Sequence, residues 1–113
     1  MAIINTALLS FGMSGSLFHA PFINLHEGFR LYAVLERTKQ LAQQQYPAVK
    51  TYRSIDELLL DDSIDLVIVN TPNYTHYEYA KKALLASKHV VVEKPFTVSV
   101  AEGAELIALA QEQ

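Results

Sequence analysis

The side chains with the clearest chemical potential in this sequence are Glu93 and Lys94, which follow an apolar run at residues 90–92 and precede Pro95. Such a run is typical of a buried parallel strand, and open α/β sheets bind ligands at the carboxyl ends of their strands. Pro95 cannot donate to a strand ladder, so it ends the strand and fixes the turn. We therefore expect Lys94 at the rim of a crevice, where it could orient a substrate hydroxyl or tune its proton transfer, while Glu93 anchors the turn. The alternative is that Lys94 only contacts a cofactor.

A glycine turn at residues 10–15 follows the first apolar run of the chain. Its pattern is that of the G-x-G-x-x-G dinucleotide fingerprint, except that Ser10 replaces the first glycine. Gly12 would let the backbone approach a pyrophosphate, and Gly15 would let the helix pack closely on the strand. Helix N–H groups and the helix dipole then favour the anion. The G-x-x-G spacing alone is a weak signal, and its position between a strand and a helix is what supports a phosphate site.

An acid and a base end the second apolar run. Glu36 lies about 20 residues after the last glycine, where an acid binds the ribose diol of a dinucleotide; the alternative is a solvated residue at a strand end. Arg37 could stack on adenine or pair with a 2′-phosphate. Glu36 indicates NAD and Arg37 indicates NADP, and a glutamate that turned outward would remove the conflict. We predict that NAD(P) is bound, with a preference for NADP.

Small and polar residues follow the fourth apolar run. Thr71 and Pro72 would line the crevice at the switch point of the sheet, and Asn73 and His76 could hydrogen-bond a ribose or a carboxamide. The structural alternatives are a helix cap for Asn73 and a partly buried structural role for His76.

The elements that position these residues alternate along the chain as strand and helix, which indicates a parallel sheet covered on both faces. The sequence predicts strands at residues 3–10, 30–35, 49–52, 64–70 and 89–92, and helices at 15–25, 39–46, 55–60, 74–86 and 100–112. Ser54 with Glu57, and Ser99 with Glu102, fit the capping box that starts a helix. At 113 residues one domain is expected, a three-layer Rossmann fold with strand order 3-2-1-4-5.

Composition excludes several classes of function. The net charge is −3, with no basic block, so we expect no nucleic-acid partner. There is no cysteine, which excludes disulfides and thiolate metal sites and fits a reducing, cytoplasmic compartment. No apolar run approaches the roughly 18 residues of a membrane helix. His19, His26 and Glu27 have no metal-ligand spacing, and the Tyr77-x-x-x-Lys81 pattern resembles the catalytic pair of short-chain dehydrogenases only in spacing.

Three segments together resemble the Gfo/Idh/MocA oxidoreductases, which include glucose–fructose oxidoreductase and inositol dehydrogenases. They are residues 11–21 (FGMSGSLFHAP), residues 71–76 (TPNYTH) and residues 93–95 (EKP), and they stand in the family's order and spacing over essentially the whole chain. The phrase at residues 19–21 is most similar to the branch of NADP-dependent scyllo-inositol dehydrogenases. The departures are Ser10 for the first glycine and Asn70 where a small apolar residue is usual.

The resemblance implies hydride exchange between nicotinamide and a sugar or polyol hydroxyl or the corresponding ketone, with Lys94 as the cofactor-proximal, catalytic lysine. It also implies a second domain with substrate contacts and an aspartate–histidine pair. Because that domain and the sixth Rossmann strand are absent, we expect an N-terminal fragment of a homo-oligomeric enzyme, inactive by itself. We predict cofactor contacts at the strand ends, from Phe11, Gly12, Met13, Ser14, Gly15, Ser16, Leu17, Glu36, Arg37, Thr71, Pro72, Asn73, His76, Glu93 and Lys94.

Two other classes of function remain open at this point. One is a nucleotide-binding module without catalysis, which would be complete as it stands. The other is a Rossmann-like methyltransferase, which also has a glycine turn and an acid after the second strand but does not need residues 93–95.

Overall fold

The protein was analysed as a computed structural model that describes residues 3–12, 19–93 and 99–112. Five parallel strands form one sheet in the order β3-β2-β1-β4-β5, as predicted. The strands are β1 Ile4–Leu8, β2 Phe29–Leu35, β3 Lys50–Tyr52, β4 Leu66–Val69 and β5 His89–Val92. The helices are α1 Ala20–Leu25, α2 Leu41–Gln45, α3 Ile55–Leu59, α4 His76–Leu85 and α5 Val100–Glu112, and a 3₁₀ turn at Asn73–Thr75 precedes α4.

Side-chain alternation along the strands divides the core into two layers. In β4 the residues Val67 and Val69 pack on the face covered by α3, α4 and α5, whereas Ile68 packs on the face covered by α1 and α2. Leu58 and Leu8 are fully buried on these two faces respectively. Each such side chain contributes roughly 1.5–3 kcal/mol through its burial. The sheet is therefore anchored on both faces, and its strand ends are held in fixed relative positions.

Helix boundaries follow the predicted capping chemistry in two places. Ser54 Oγ accepts a hydrogen bond from the Glu57 N–H at 3.2 Å, and Ser99 Oγ accepts one from the Glu102 N–H at the same distance. The Glu57 carboxylate returns to the Ser54 hydroxyl at 3.3 Å instead of the backbone. The two predicted serine caps are thus confirmed.

Helix α4 begins later than its apolar pattern predicted and ends in a left-handed residue. The Thr75 N–H donates to the Pro72 carbonyl at 2.9 Å, a three-residue spacing that makes the first turn 3₁₀, so the α-helix starts at His76 and not at residue 74. After the helix, Ser87 has φ 62°, and the N–H groups of Ser87 and Lys88 donate to the carbonyls of the last turn. This arrangement is a Schellman motif, in which glycine is the usual residue.

A carboxylate ties the turn before β4 to the edge of the sheet. Asp61 accepts hydrogen bonds from the hydroxyls of Tyr52 at 2.5 Å and Tyr32 at 3.1 Å, and from the Ser63 N–H at 2.9 Å. Burial alone would raise the pKa of Asp61, but these hydrogen bonds outweigh it and hold that pKa below its ordinary value. The same bond to Asp61, together with burial, raises the pKa of Tyr52 to about 12.

None of the helices in the part of the chain that the structure describes is both long and apolar enough to cross a membrane. Across residues 3–12, 19–93 and 99–112, no group of three or more histidine, cysteine, aspartate or glutamate side chains could hold a metal ion.

Candidate functional site

The candidate site is a cleft of about 400 Å³ at the carboxyl ends of β1, β2 and β4. This is the point where the chain turns from one side of β1 to the other, which is the position where open α/β sheets bind ligands. Its lining joins segments that are far apart in sequence, and the predicted site residues among them are Phe11, Gly12, Glu36, Arg37, Thr71 and Pro72. The structure thus brings together three of the four predicted segments.

Gly12 forms an open part of the cleft wall. Among the described residues, the heavy atom nearest to a Cβ built on it is Ser10 Oγ at 3.7 Å, which is an ordinary van der Waals contact. Gly12 also avoids the left-handed region of φ that favours glycine. Neighbouring Phe11 is buried and packs edge-on against Tyr46, so its side chain anchors the turn in the core on the α1 and α2 face of the sheet. Among the described residues, nothing demands a glycine at position 12.

Glu36 lines the cleft, and its carboxylate turns toward the start of helix α2. Its side chain is 8% exposed, and its two carboxylate oxygens accept hydrogen bonds from the N–H groups of Leu41 at 3.1 Å and Ala42 at 3.0 Å. Gln40, the residue in the N-cap position of α2, makes no side-chain cap of its own. Glu36 therefore supplies the missing cap, and a carboxylate there is also favoured by the helix dipole.

Arg37 is the basic group held beside the cleft. The guanidinium is exposed, and its Nη2 donates a hydrogen bond at 3.2 Å to the hydroxyl of Tyr79, which lies on α4. Lys39 also lines the cleft, and the carbonyl oxygen of Lys39 accepts a hydrogen bond from Arg53 at 2.6 Å. The lining of this end of the cleft thus includes the basic residues Arg37 and Lys39 beside the carboxylate of Glu36, which is engaged by α2.

The segment after β4 is braced by its own side chains. His76 is 1% exposed, and its Nε2 lies 2.8 Å from the Thr71 carbonyl oxygen. The hydroxyls of Thr71 and Thr75 are 2.5 Å apart, and Thr75 Oγ1 donates to the Pro72 carbonyl at 2.6 Å. The enclosure of His76 favours the structural alternative, in which the histidine shapes the Thr71–Pro72 wall of the cleft from behind.

The strand ends on either side of the switch point are joined by a buried amide. Asn70 is 6% exposed, and its Nδ2 donates to the Ser10 carbonyl at 2.8 Å. Ser10 Oγ in turn accepts the Gly12 N–H at 3.3 Å. The predicted strands at residues 3–10 and 64–70 are shorter in the structure, at Ile4–Leu8 and Leu66–Val69, and Ser10 and Asn70 lie beyond their ends, where they make this contact.

A second contact spans from the start of α1 to the end of β5. His19 Nε2 lies 2.7 Å from Glu93 Oε2, and both side chains are partly exposed. The sequence showed His19 as part of the family-like phrase at residues 19–21 and without metal-ligand spacing, but it did not predict this partner, because the two residues are 74 positions apart. The contact joins Glu93 to the start of α1, and the predicted anchoring of the turn at residues 93–95 stays a prediction, because residues 94–98 lie outside the described part of the chain.

Several predicted contacts fall outside the described part of the chain, and for them the predictions stand as made. They are Met13, Ser14, Gly15, Ser16, Leu17 and Lys94, together with the side chain of Asn73. The start of the first predicted helix, at residues 15–18, also lies outside the described residues, so that prediction stands as made.

Two cleft residues, Lys39 and Tyr79, were not singled out from the sequence. Tyr79 could have been found from its spacing, because it lies one helical turn after His76 and so faces the same side of α4. Lys39 could have been found as the second base after the second strand.

The comparisons with known proteins agree with this geometry. Residues 4–113 match the family described as "Oxidoreductase family, NAD-binding Rossmann fold", GFO_IDH_MocA. The crystal structure of a protein from Bacteroides fragilis, described as an oxidoreductase, superposes with a TM-score of 0.96 at 54% identity, covering 99% of this chain and 35% of that one.

Two curated relatives match nearly the whole of this chain. An uncharacterized oxidoreductase of Schizosaccharomyces pombe is 46% identical over 116 residues, which cover 98% of this chain and 31% of the relative. The scyllo-inositol 2-dehydrogenase (NADP(+)) of Bacillus subtilis is 33% identical over 110 residues, or 97% of this chain and 31% of the relative. The chain, which spans about a third of the length of these relatives, belongs to the Gfo/Idh/MocA family of oxidoreductases and is built as its NAD-binding Rossmann domain.

Proposed function

We propose that this chain binds NADP in preference to NAD in the cleft at the ends of β1, β2 and β4, as the cofactor domain of an oxidoreductase. The reaction is hydride transfer between nicotinamide and a sugar or polyol hydroxyl, or the reverse reduction of the ketone. The observation that carries the proposal is Gly12, because its missing side chain leaves room that none of the described residues fills. A pyrophosphate approaching the backbone is the kind of ligand that requires such room.

The preference for NADP rests on the different orientations of Glu36 and Arg37. The carboxylate that would repel a 2′-phosphate is engaged by the N–H groups of α2, and the guanidinium remains exposed at the cleft. A guanidinium can bind phosphate with two parallel hydrogen bonds. The Bacillus subtilis relative, whose name specifies NADP(+), supports the same choice.

The polyol substrate is inferred from that relative's name, and the catalytic role of Lys94 from its position directly after β5. In this proposal Lys94 touches the nicotinamide end of the cofactor and the reacting hydroxyl, and orients that hydroxyl for proton transfer. Thr71 and Pro72 line the crevice, Asn73 hydrogen-bonds the ribose or the carboxamide, and His76 holds the wall behind them. When bound, the nicotinamide supplies the hydride chemistry, and the protein supplies position and proton transfer.

The test is calorimetric titration of NADPH and NADH into the wild-type chain and the Gly12→Ala variant. We expect Gly12→Ala to keep the melting temperature within a few degrees, because its Cβ fits, and to weaken NADPH binding by about tenfold or more through its clash with the pyrophosphate. Gly28→Ala is a control at the opposite end of the sheet, before β2; its Cβ would lie 3.3 Å from the His26 ring, so this variant is expected to lower the melting temperature but to leave the NADPH affinity unchanged. An unchanged NADPH affinity in Gly12→Ala would contradict the proposal.

A second variant separates the two cofactors. Arg37→Ala should weaken NADPH binding by about tenfold or more, the equivalent of one hydrogen bond to a charged group, and leave NADH binding nearly unchanged. If both affinities stay at their wild-type values, Arg37 is only a surface residue and the NADP preference is wrong.

A further inference from the structure

We propose that Ser10 and Asn70 form a two-part brace that positions the turn for the cofactor's pyrophosphate, in place of the glycine that the dinucleotide fingerprint has at position 10. The inference rests on the proposed function, because it assigns these residues a role in cofactor affinity. Both residues are departures from the family pattern, and the structure shows that they touch each other.

The hydroxyl half of the brace acts within the turn. Ser10 Oγ accepts the Gly12 N–H at 3.3 Å, a contact between a serine and the residue two positions on. Such a contact mimics a backbone turn, so a serine can hold a tight turn where a glycine would otherwise be used. It also orients Gly12, the residue whose open side we assign to the pyrophosphate.

The amide half of the brace acts across the sheet. Asn70 Nδ2 donates to the Ser10 carbonyl at 2.8 Å, and Asn70 is 6% exposed, so water does not compete strongly for this bond. The bond joins the ends of β1 and β4, which flank the switch point. Together the hydroxyl and the amide hold residues 10–12 by the carbonyl at one end and the N–H at the other.

This arrangement predicts an effect on binding that exceeds the effect on folding. A turn that is already held in shape loses less conformational freedom when it receives a ligand, and the saved free energy appears as affinity. A turn without the brace can still occur in the folded protein, but it must be ordered by the cofactor.

The test uses the 113-residue chain with NADPH as the probe. We expect Ser10→Ala and Asn70→Ala each to raise the Kd for NADPH by about 5- to 10-fold, the equivalent of one net hydrogen bond. Ser10→Thr retains a hydroxyl and should stay within about twofold of wild type. Ser10→Gly restores the fingerprint glycine, which permits the tight turn without the hydroxyl, so it should bind NADPH more tightly than Ser10→Ala.

The chain offers a matched control for each half. Ser54 caps α3 with the same kind of bond, from a backbone N–H to a serine Oγ at 3.2 Å. Asn5 Nδ2 donates to the Ser63 carbonyl at 2.9 Å, near the amino ends of β1 and β4. Ser54→Ala and Asn5→Ala should lower the melting temperature without changing the Kd, which separates positioning from a general loss of stability.

A readout without cofactor completes the test. In the free chain, Ser10→Ala should accelerate hydrogen exchange of the Gly12 amide relative to wild type. If Ser10→Ala binds NADPH as tightly as Ser10→Gly, or if neither Ser10→Ala nor Asn70→Ala changes the Kd, the positioning role is wrong. If the wild-type chain binds neither NADPH nor NADH, the proposed function fails, and the positioning role fails with it.

Discussion

Replacing Glu36 by glutamine tests whether this carboxylate is a helix cap or a cofactor ligand. In the structure its two oxygens accept the N–H groups of Leu41 and Ala42, and Ala42 is fully buried. Glutamine keeps one acceptor oxygen but turns an NH₂ group toward the other N–H. The substitution Glu36→Gln therefore leaves a donor facing a donor at the start of α2.

The magnitude follows from these two bonds. A hydrogen bond to a charged group is worth about 1.5–3 kcal/mol, and a neutral one about 1 kcal/mol. Exchanging two charged bonds for one neutral bond, with partial relaxation of the exposed Leu41 N–H toward water, lowers the free energy of unfolding by about 2–3 kcal/mol. For a domain of this size, that loss corresponds to a melting temperature lower by about 10 °C.

The assay measures thermal unfolding by circular dichroism and NADH and NADPH affinity by calorimetry, on Glu36→Gln and on Glu78→Gln as a control. Glu78 is an exposed glutamate on α4, and its substitution should change neither quantity. A cap predicts a lower melting temperature with both affinities within about twofold of wild type. A ribose ligand predicts the reverse: an unchanged melting temperature with weakened NADH binding, which would refute the reasoning.

Three further predictions concern other parts of the domain. The pKa of Asp61 in the folded protein lies below its ordinary value of 3.8, so the stability that Asp61 contributes is complete above pH 3.8 and is lost as the pH falls through the lower folded pKa. Asp61→Asn should remove this acid dependence, measured by urea unfolding at graded pH. Ser87→Gly should raise the free energy of unfolding by about 1 kcal/mol, because φ 62° is strained for serine, and a decrease in urea stability would contradict this. Lys94→Ala, in the complete enzyme that we propose, should lower kcat on the order of 10²-fold; if only the cofactor KM rises, Lys94 contributes uniform binding and no catalysis.

Local sequence patterns predicted most of the fold, because the features involved act over a few residues. The apolar run at His89–Val92 and the helix at Val100–Glu112 have the predicted bounds, and the serines at positions 54 and 99 cap their helices. Strand order followed from the alternation of strand and helix together with the right-handed crossover that parallel strands require. Family membership followed from three short segments in a fixed order, and the comparisons confirmed it.

Side-chain direction at the strand ends depended on the tertiary structure. The sequence alone determined that Glu36 and Arg37 follow β2 at the cleft, but only the position of α2 decided that the carboxylate turns inward while the guanidinium stays exposed. Likewise, the contacts of Ser10 with Asn70 and of His19 with Glu93 join residues 60 and 74 positions apart. Periodicity and capping describe neighbours along the chain, whereas these pairs form because a parallel sheet brings the carboxyl ends of distant strands to one edge.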